Sequence, residues 1–296
     1  MKKLGLATAL LLAVTGAQAY QFEVQGQAEY VDTTVNDKDF VGGVQGTYYF
    51  KNVDATKGPL AEAAFLNHAS NVAVAYNYAE LGNDGIDLVA HNFGAKGEAY
   101  IPTSVVPVYA SASYSATIAD AKNQLTKAVG LEDNGDRYAL ELGALALPNF
   151  LVAVGYTSAA NQAAYDAFKV ANNGVVAGYG EALTLGEDQD AVTARTKYVG
   201  GIDGTNMSVA FESGLVYGDD TAFNLGSTLY VTPKLGLGVS YYESSFAGSP
   251  DSALGANVNY FITPAVAVGA SFVKANAEDN SPLDTETVGL NAKFRF

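Results

Sequence analysis

The sequence lacks cysteine, a segment long and apolar enough to form a membrane-spanning helix, and any cluster of basic residues. The absence of cysteine suits a chain exported through an oxidising compartment, where stray thiols are cross-linked. The best candidate for a spanning helix, residues 140–154, is interrupted by Glu141, Gly143, Pro148 and Asn149. Since Asp and Glu number 31 against 16 Lys and Arg, the chain would repel nucleic acid, and we expect no nucleic-acid partner.

The N-terminus has the three parts of a secretory signal. Two lysines follow the initial methionine, residues 4–14 are apolar, and residues 17–19 form a small-x-small cleavage site. An apolar run of this length rises only about 16 Å as a helix, which is too short for the ~30 Å core of a bilayer. We therefore expect a signal peptide at residues 1–19 and a mature domain at residues 20–296, with no plug domain ahead of its first strand.

The main positive signal is a period-two alternation of apolar and polar residues. In the last ten residues, the even positions up to Phe294 and Phe296 are apolar, while the odd positions are polar and include Lys293 and Arg295. Residues 21–30 alternate in the same way. Two faces of opposite polarity are typical of a β-strand with one apolar surface. Because only helices and closed barrels satisfy every backbone group in lipid, a membrane protein without spanning helices must be a barrel.

Similar segments recur along the chain and predict an all-β protein. We expect a transmembrane antiparallel β-barrel of about fourteen strands, with a range of 12–16, because boundaries read from sequence shift by a few residues. Short turns, several with proline, alternate with longer acidic loops, which is the pattern of periplasmic turns and outer loops in outer-membrane barrels. The predicted strands are residues 20–31, 40–50, 71–80, 87–101, 108–119, 137–147, 150–158, 191–199, 206–217, 222–231, 235–244, 253–261, 266–275 and 285–296.

Two connections differ from this pattern. Residues 51–69 are too many for a periplasmic turn, and they include an apolar stretch at 61–66 that predicts a short helix. The outer loop at residues 159–190 is more apolar than a solvated loop needs to be. We expect both connections to fold into the lumen, where the candidate constriction residues are Leu60, Phe65, Tyr165, Phe168 and Tyr179.

The polar face of each strand defines the predicted channel lining. Cations and anions are almost balanced on this face, which favours small polar or zwitterionic solutes, whereas the acidic outer loops would raise the local concentration of cations. An alternative use of these charges is salt bridging within the lumen that braces the barrel. The predicted lining residues are Glu23, Glu29, Lys96, Glu98, Arg137, Glu141, Arg195, Lys197, Glu212, Lys293 and Arg295.

Several segments resemble a porin family of Gammaproteobacteria, and in particular its members from Acinetobacter. These segments are VQGTYYFKNVDATKGPLAEAAFLNHAS from Val44, GEAYIPTSVVPVYASASY from Gly97, the strand that starts at Tyr20, and the Phe-Arg-Phe end. The resemblance extends over the whole chain. It implies a monomeric barrel in the outer membrane of a Gram-negative bacterium, which passes water, ions and small solutes, antibiotics among them.

An outer-membrane hydrolase is the main enzymatic alternative. It would need a nucleophile with a positioned base. His68 and His91 are the only histidines, and neither has an evident serine and acidic partner in the sequence. We therefore expect no enzymatic activity, no catalytic residue, no metal site and no cofactor. A transporter of hydrophobic substrates is a further alternative. Such a transporter would be expected to carry an N-terminal plug domain (a hatch), which we do not expect in this chain.

The strand number sets the expected function. Eight strands enclose an interior filled by side chains and sixteen enclose an open channel, so with fourteen the inserted connections decide whether the barrel conducts. We expect a narrow passive channel, open or gated, for water, ions and small polar solutes. The alternative is a structural or adhesive barrel with a closed lumen. The expected partners are outer-membrane lipid, lipopolysaccharide, small solutes, and the barrel-assembly machinery, for which Phe296 is the expected assembly signal.

Overall fold

In a computed structural model, the chain forms a closed barrel of fourteen antiparallel strands. Each strand pairs with its neighbours in sequence, and the first strand closes the barrel by pairing with the last. The predicted fold class and strand count are therefore confirmed. The structure describes residues 19–33, 36–83, 86–121, 133–160, 166–169, 189–245, 250–276 and 284–296.

The strands have the following bounds. They are β1 Ala19–Thr33, β2 Asn36–Asp54, β3 Asn71–Asn83, β4 Ile86–Ile101, β5 Val108–Ala121, β6 Asp133–Leu147, β7 Phe150–Ala160, β8 Gln189–Gly201, β9 Ser208–Tyr217, β10 Thr221–Thr232, β11 Leu235–Ser244, β12 Ser252–Thr263, β13 Val266–Asn276 and β14 Thr285–Arg295. A 3-10 turn, Leu60–Glu62, runs into the short helix α1, Ala63–Leu66. Within the described ranges, no helix has the length and apolar character needed to cross a membrane.

The alternation along each strand separates an outer from an inner surface. On β14, Leu290 and Phe294 are exposed on the outside of the barrel, whereas Thr287 and Arg295 are buried on the inside. Successive residues of a strand point to opposite faces of the sheet, and residues directly opposite each other on paired strands point to the same face. The two surfaces therefore continue from strand to strand around the barrel. The outer surface is consequently apolar over most of its height, and the polar side chains face inward.

The barrel has two distinct ends. The turn end carries the start of β1, the end of β14 and the short connections at residues 102–107, 148–149, 202–207, 233–234 and 264–265. The loop end carries the alternate connections, among them the one that joins β7 and β8. The connection between β2 and β3 is the exception at the turn end, because it is long enough to enter the barrel.

The strands extend further at the loop end than the sequence predicts. β2 begins at Asn36 rather than at residue 40, β3 ends at Asn83 rather than at residue 80, and β6 begins at Asp133 rather than at residue 137. The predicted loops at residues 32–39 and 81–86 are thus largely strand. The alternation of apolar and polar residues ends where the outer face of a strand is no longer apolar, so the sequence predicts the strand to end there. The backbone hydrogen bonds between the paired strands nevertheless continue.

The predicted signal peptide lies outside the described residues except for Ala19. This residue already belongs to β1 and pairs with Asp54 of β2. A register shift follows between Tyr20 and Phe22. Because of this irregularity, Tyr20 is buried inside the barrel, although strict alternation would place it on the outer face with Phe22.

Candidate functional site

The connection between β2 and β3 crosses the barrel interior near its turn end. We call residues 55–70 the turn-end insert. Leu60 packs against Phe261 and Ala267 on the β12–β13 wall. Phe65 packs in a cluster with Leu145 and Leu151 on the β6–β7 wall. Since β6 and β13 lie opposite each other in a fourteen-stranded ring, the insert spans the full width of the barrel.

Backbone hydrogen bonds hold Leu60 in place. Its N–H donates to the carbonyl oxygen of Pro233 in the β10–β11 turn, at 2.8 Å. Its carbonyl oxygen accepts a hydrogen bond of 2.7 Å from Nη1 of Arg295. At the other end of the insert, Asn67 donates from Nδ2 to the carbonyl oxygen of Asp54 at 2.8 Å. The insert is therefore attached to the wall on several sides rather than resting in the lumen.

Glu62 is the charged centre of the insert. It accepts a hydrogen bond of 2.6 Å from the hydroxyl of Tyr230 and forms an ion pair of 2.9 Å with Lys197. Lys197 also pairs with Glu212 on β9 at 2.5 Å and lies over the ring of Phe65 at 5.2 Å. Glu62 was not among the residues predicted from the sequence. The signal that could have identified it is a lone carboxylate in an apolar segment expected to fold inward.

A second segment lies against the inner wall. We call Asp166–Lys169, part of the connection between β7 and β8, the inner loop segment. Asp166 forms a buried ion pair with Arg137 of β6. The carbonyl oxygen of Ala167 accepts from Asn77 of β3 at 2.9 Å, and its N–H donates to Ser115 of β5 at 3.1 Å. Three wall strands therefore hold this segment.

Asp166 also organises the segment itself. Its Oδ1 accepts hydrogen bonds from the N–H groups of Phe168 at 2.9 Å and Lys169 at 3.3 Å, as the cap of a helical turn does. The sequence analysis missed this residue, although an aspartate ahead of an apolar pair is an N-cap signal. Phe168 packs against Ala73 and Ala75 of β3.

A hydrogen-bonded charge network covers the wall from β4 to β8. Lys96 pairs with Glu98 at 2.7 Å, and Glu98 accepts from the hydroxyl of Tyr109 at 2.9 Å. Arg195 donates to the Tyr109 hydroxyl oxygen at 2.9 Å. It also forms a bidentate ion pair with Glu141, in which both hydrogen bonds measure 3.1 Å. Charge-assisted bonds of this kind are stronger and geometrically more specific than neutral ones.

A second cluster lies at the seam between β1 and β14. Glu23 pairs with Arg295 at 2.7 Å and with Lys293 at 3.1 Å. The Arg295 guanidinium is sandwiched between the rings of Tyr20 and Phe261, at 4.6 Å from each. These contacts join the closing pair of strands to the turn-end insert through the bond from Arg295 to Leu60.

The eleven predicted lining residues all project from the inner face of the barrel. Each of the six cations has an ion-pair partner, and Glu23, Glu98, Glu141 and Glu212 are among these partners. Glu29 is buried on β1. Of the predicted constriction residues, Leu60, Phe65 and Phe168 are buried inside the barrel. Tyr165 and Tyr179 lie outside the described residues. Phe296 is exposed on the outer surface, stacked on Phe22 at 5.4 Å.

The two histidines have separate roles in packing. His68, near the end of the turn-end insert, has a positive φ of 47°, and its Nε2 lies 2.6 Å from the carbonyl oxygen of Pro148. His91 lies on β4, with Nδ1 2.9 Å from the Tyr76 hydroxyl. Among the described residues, no group of three or more His, Cys, Asp or Glu side chains could hold a metal ion.

A closed antiparallel barrel with an apolar outer surface and a charged, hydrogen-bonded interior has the architecture of an outer-membrane channel protein. The chain matches, over residues 1–296, the family model described as "Putative general bacterial porin", and it belongs to this family. The family resemblance expected from the sequence is therefore confirmed. Membership places the protein among outer-membrane channels rather than among enzymes.

The chain is similar to solved outer-membrane barrels. The crystal structure of the Acinetobacter baumannii outer membrane protein Omp33 shares 51% identity with it over 95% of this chain and 100% of that chain, with a TM-score of 0.70. A deletion mutant of the monoaromatic hydrocarbon channel TodX shares 11% identity over 95% of this chain and 91% of that chain, with a TM-score of 0.51. The latter similarity supports the fold alone. A comparison with curated proteins gave no match.

Proposed function

We propose that the protein is a narrow passive channel of the outer membrane of a Gram-negative bacterium. Water, ions and small polar solutes, antibiotics among them, pass through it by diffusion. The observation that carries this proposal is the turn-end insert, which spans the interior from the β6–β7 wall to the β12–β13 wall. Permeants therefore have to pass beside the insert, and its position limits the size of what crosses.

The inner loop segment supplies a second restriction. It occupies space beside β3, β5 and β6, where Arg137, Asn77 and Ser115 hold it. Phe168 and Leu60 thus act as constriction residues from different connections, and the predicted lining residues act mainly through paired charges. Paired charges present little net field, so we expect weak selection by sign and strong selection by size.

The remaining partners follow from the surface. The exposed apolar outer face contacts lipid, with lipopolysaccharide at the loop end, and the barrel acts as a monomer. Phe296 is exposed beside Phe22 at the turn end. We expect the barrel-assembly machinery to recognise Phe296 as the end of the last strand. The signal peptide at residues 1–19 supplies export to the periplasm.

The first experiment is reconstitution of the purified full-length protein into liposomes and planar bilayers. Osmotic swelling that falls steeply with solute size, together with small single-channel conductance, is the expected result. Deleting residues 165–180 should raise that conductance, and an unchanged value would remove the loop from the mechanism. Heat-modifiable migration on gels serves as the control for correct folding of every variant.

A closed structural or adhesive barrel is the second candidate. It is favoured by the same insert, because contacts on opposing walls can also close a lumen completely. A folded, heat-modifiable barrel that neither swells liposomes nor conducts, and that binds host surfaces, would support this candidate over the channel.

A further inference from the structure

The inner surface of the barrel is divided into a charged part and an uncharged part. The charged part comprises the wall from β4 to β9 and the seam of β1 with β14. On β10, β11, β12 and β13, which the structure describes over their full lengths, no inward-facing residue is charged. The wall formed by β10 to β13 therefore presents only uncharged residues to the lumen.

A cavity of about 390 Å³ lies against the uncharged wall, which is within the size range of small-molecule sites. Asn257, Asn259 and Asn291 line it, with Ser240 and Ser271 beside them. We call these three asparagines the amide triad. Within the part of the chain that the structure describes, no hydrogen bond joins a triad amide to another protein group. Their donors and acceptors are therefore available to a molecule in the cavity.

The strand register keeps the amides flat against the wall. Asn259 is paired with Gly269, and Gly269 with Asn291, so a glycine separates two of the three amides. A Cβ atom at Gly269 would lie 2.4 Å from Oδ1 of Asn259 and 2.7 Å from Oδ1 of Asn291. A Cβ atom at Gly238 would likewise lie 2.6 Å from Asn257. The glycines thus provide the space in which the amides lie, and this arrangement keeps the cavity open.

The three charged residues that line the cavity are already paired. Glu62 bonds to Tyr230 and Lys197, Glu212 pairs with Lys197, and Lys293 pairs with Glu23 at 3.1 Å. A charged solute at the amide triad would lose hydration without gaining an unpaired counter-charge. An uncharged solute rich in hydroxyl groups would exchange bonds to water for bonds to amides, each of which offers both donors and an acceptor.

From these observations we infer that the amide triad is a binding site for uncharged polyhydroxyl solutes of about the size of a monosaccharide. The site deepens the proposed channel function and rests on it for the route by which the solute reaches the cavity. Glucose, gluconate and glucosamine are suitable probes, because they have similar size and differ in charge.

The test uses the full-length protein in detergent and measures equilibrium binding of the three radiolabelled probes. Glucose should bind saturably, and gluconate and glucosamine at least about tenfold more weakly. The triple variant Asn257→Leu/Asn259→Leu/Asn291→Leu keeps the shape of the three side chains and removes their hydrogen-bonding groups. Its affinity for glucose should therefore be lower by about tenfold or more. Asn206→Leu, the same change at an exposed position in the β8–β9 turn, should leave binding unchanged.

The single variants Asn257→Leu and Asn291→Leu accompany the triple variant, so that misfolding of the latter leaves a test in place. Absence of saturable glucose binding, equal binding of all three probes, or unchanged binding by the variants would overturn the inference. Ion conductance of the same proteins in planar bilayers separates the two proposals. Conductance without glucose binding removes the site alone, whereas glucose binding without conductance removes the channel and leaves the site.

Discussion

Arg295 shows how one side chain serves several parts of the molecule. It is 2% exposed, pairs with Glu23, donates to the carbonyl oxygen of Leu60, and lies between two aromatic rings. The planar guanidinium suits this position, since it can donate in several directions and stack on both faces at once. The alternation along the last strand predicted that Arg295 faces inward, but this alternation carries no information about its contact with the insert.

Replacing Arg295 should weaken both the closing seam and the attachment of the insert. Arg295→Leu leaves Glu23 with one cation fewer and removes the donor to Leu60, so we expect destabilisation of about 3–5 kcal/mol, the range for a broken buried pair. Unfolding by urea in detergent micelles measures this loss, and single-channel conductance should rise as the insert loosens.

Lys274→Leu is the matched control for that change. Lys274 pairs with Glu286 at 3.0 Å, but its side chain is 53% exposed, and an exposed pair contributes at most about 1 kcal/mol. Arg295→Lys, which keeps the charge and loses the planar fork, should fall between the two. Equal stability of Arg295→Leu and Lys274→Leu would contradict the assignment of Arg295 as the tie between wall and insert.

The two inward connections are the elements on which the proposed narrow channel depends. The sequence predicted that both fold inward, from the length of one and the apolar residues of the other. It could not predict where each lies, because contacts of the insert join residues far apart in the chain, such as Glu62 with Tyr230. Such positions depend on the closure of the whole ring.

The inner loop segment lies so close to β4 that only glycine fits beneath it. A Cβ atom at Gly94 would lie 2.7 Å from Cβ of Ala167 and 2.9 Å from the ring of Phe168. Gly94→Ala should therefore displace the segment, at a cost of about 1–3 kcal/mol, as overpacking does. Lys169 is the only trypsin site in residues 161–188, so cleavage after Lys169 in proteoliposomes should become at least about fivefold faster.

Gly97→Ala provides the comparison on the same strand, because nothing lies within 4 Å of a Cβ atom added there. Its rate of trypsin cleavage should match that of the unchanged protein. If Gly94→Ala also leaves the rate unchanged, the inner loop segment does not depend on its contact with β4.

At the scale of the whole molecule, charge is distributed unevenly. The chain has a formal net charge of −15, yet the inward charges occur mostly as ion pairs. The acidic residues that give the chain its net charge must therefore lie mainly outside the inner face of the barrel. In the sequence, many of them belong to the connections at the loop end. A field from such residues concentrates cations at the entrance without holding them inside.

This distribution predicts a weak cation preference that fades with salt. Reversal potentials in planar bilayers should show the preference near 0.1 M salt, where screening extends over about 10 Å, and largely lose it at 1 M, where the length is about 3 Å. Neutralising the acids Glu187, Asp188, Glu278 and Asp279 by Gln and Asn should reduce the preference at low salt. A preference that persists at 1 M would instead indicate selection inside the lumen.

Period-two alternation was enough to establish the barrel, its approximate strand number and the inward position of residues such as Glu98 and Arg195. This information is local, because the pleat of a strand assigns each residue to a face without reference to the rest of the chain. The strand ends near Asn36 and Asn83 escaped prediction, since the backbone ladder continues after the apolar pattern stops.

Only the closed barrel decided which of the inward groups meet. Ring closure set Glu62 beside Lys197, Asp166 beside Arg137, and the amides of Asn259 and Asn291 over Gly269. Each of these contacts depends on register between strands, or on a connection that folds back into the barrel. Register and inward folding arise from packing over the whole molecule, and no single segment of the sequence contains them.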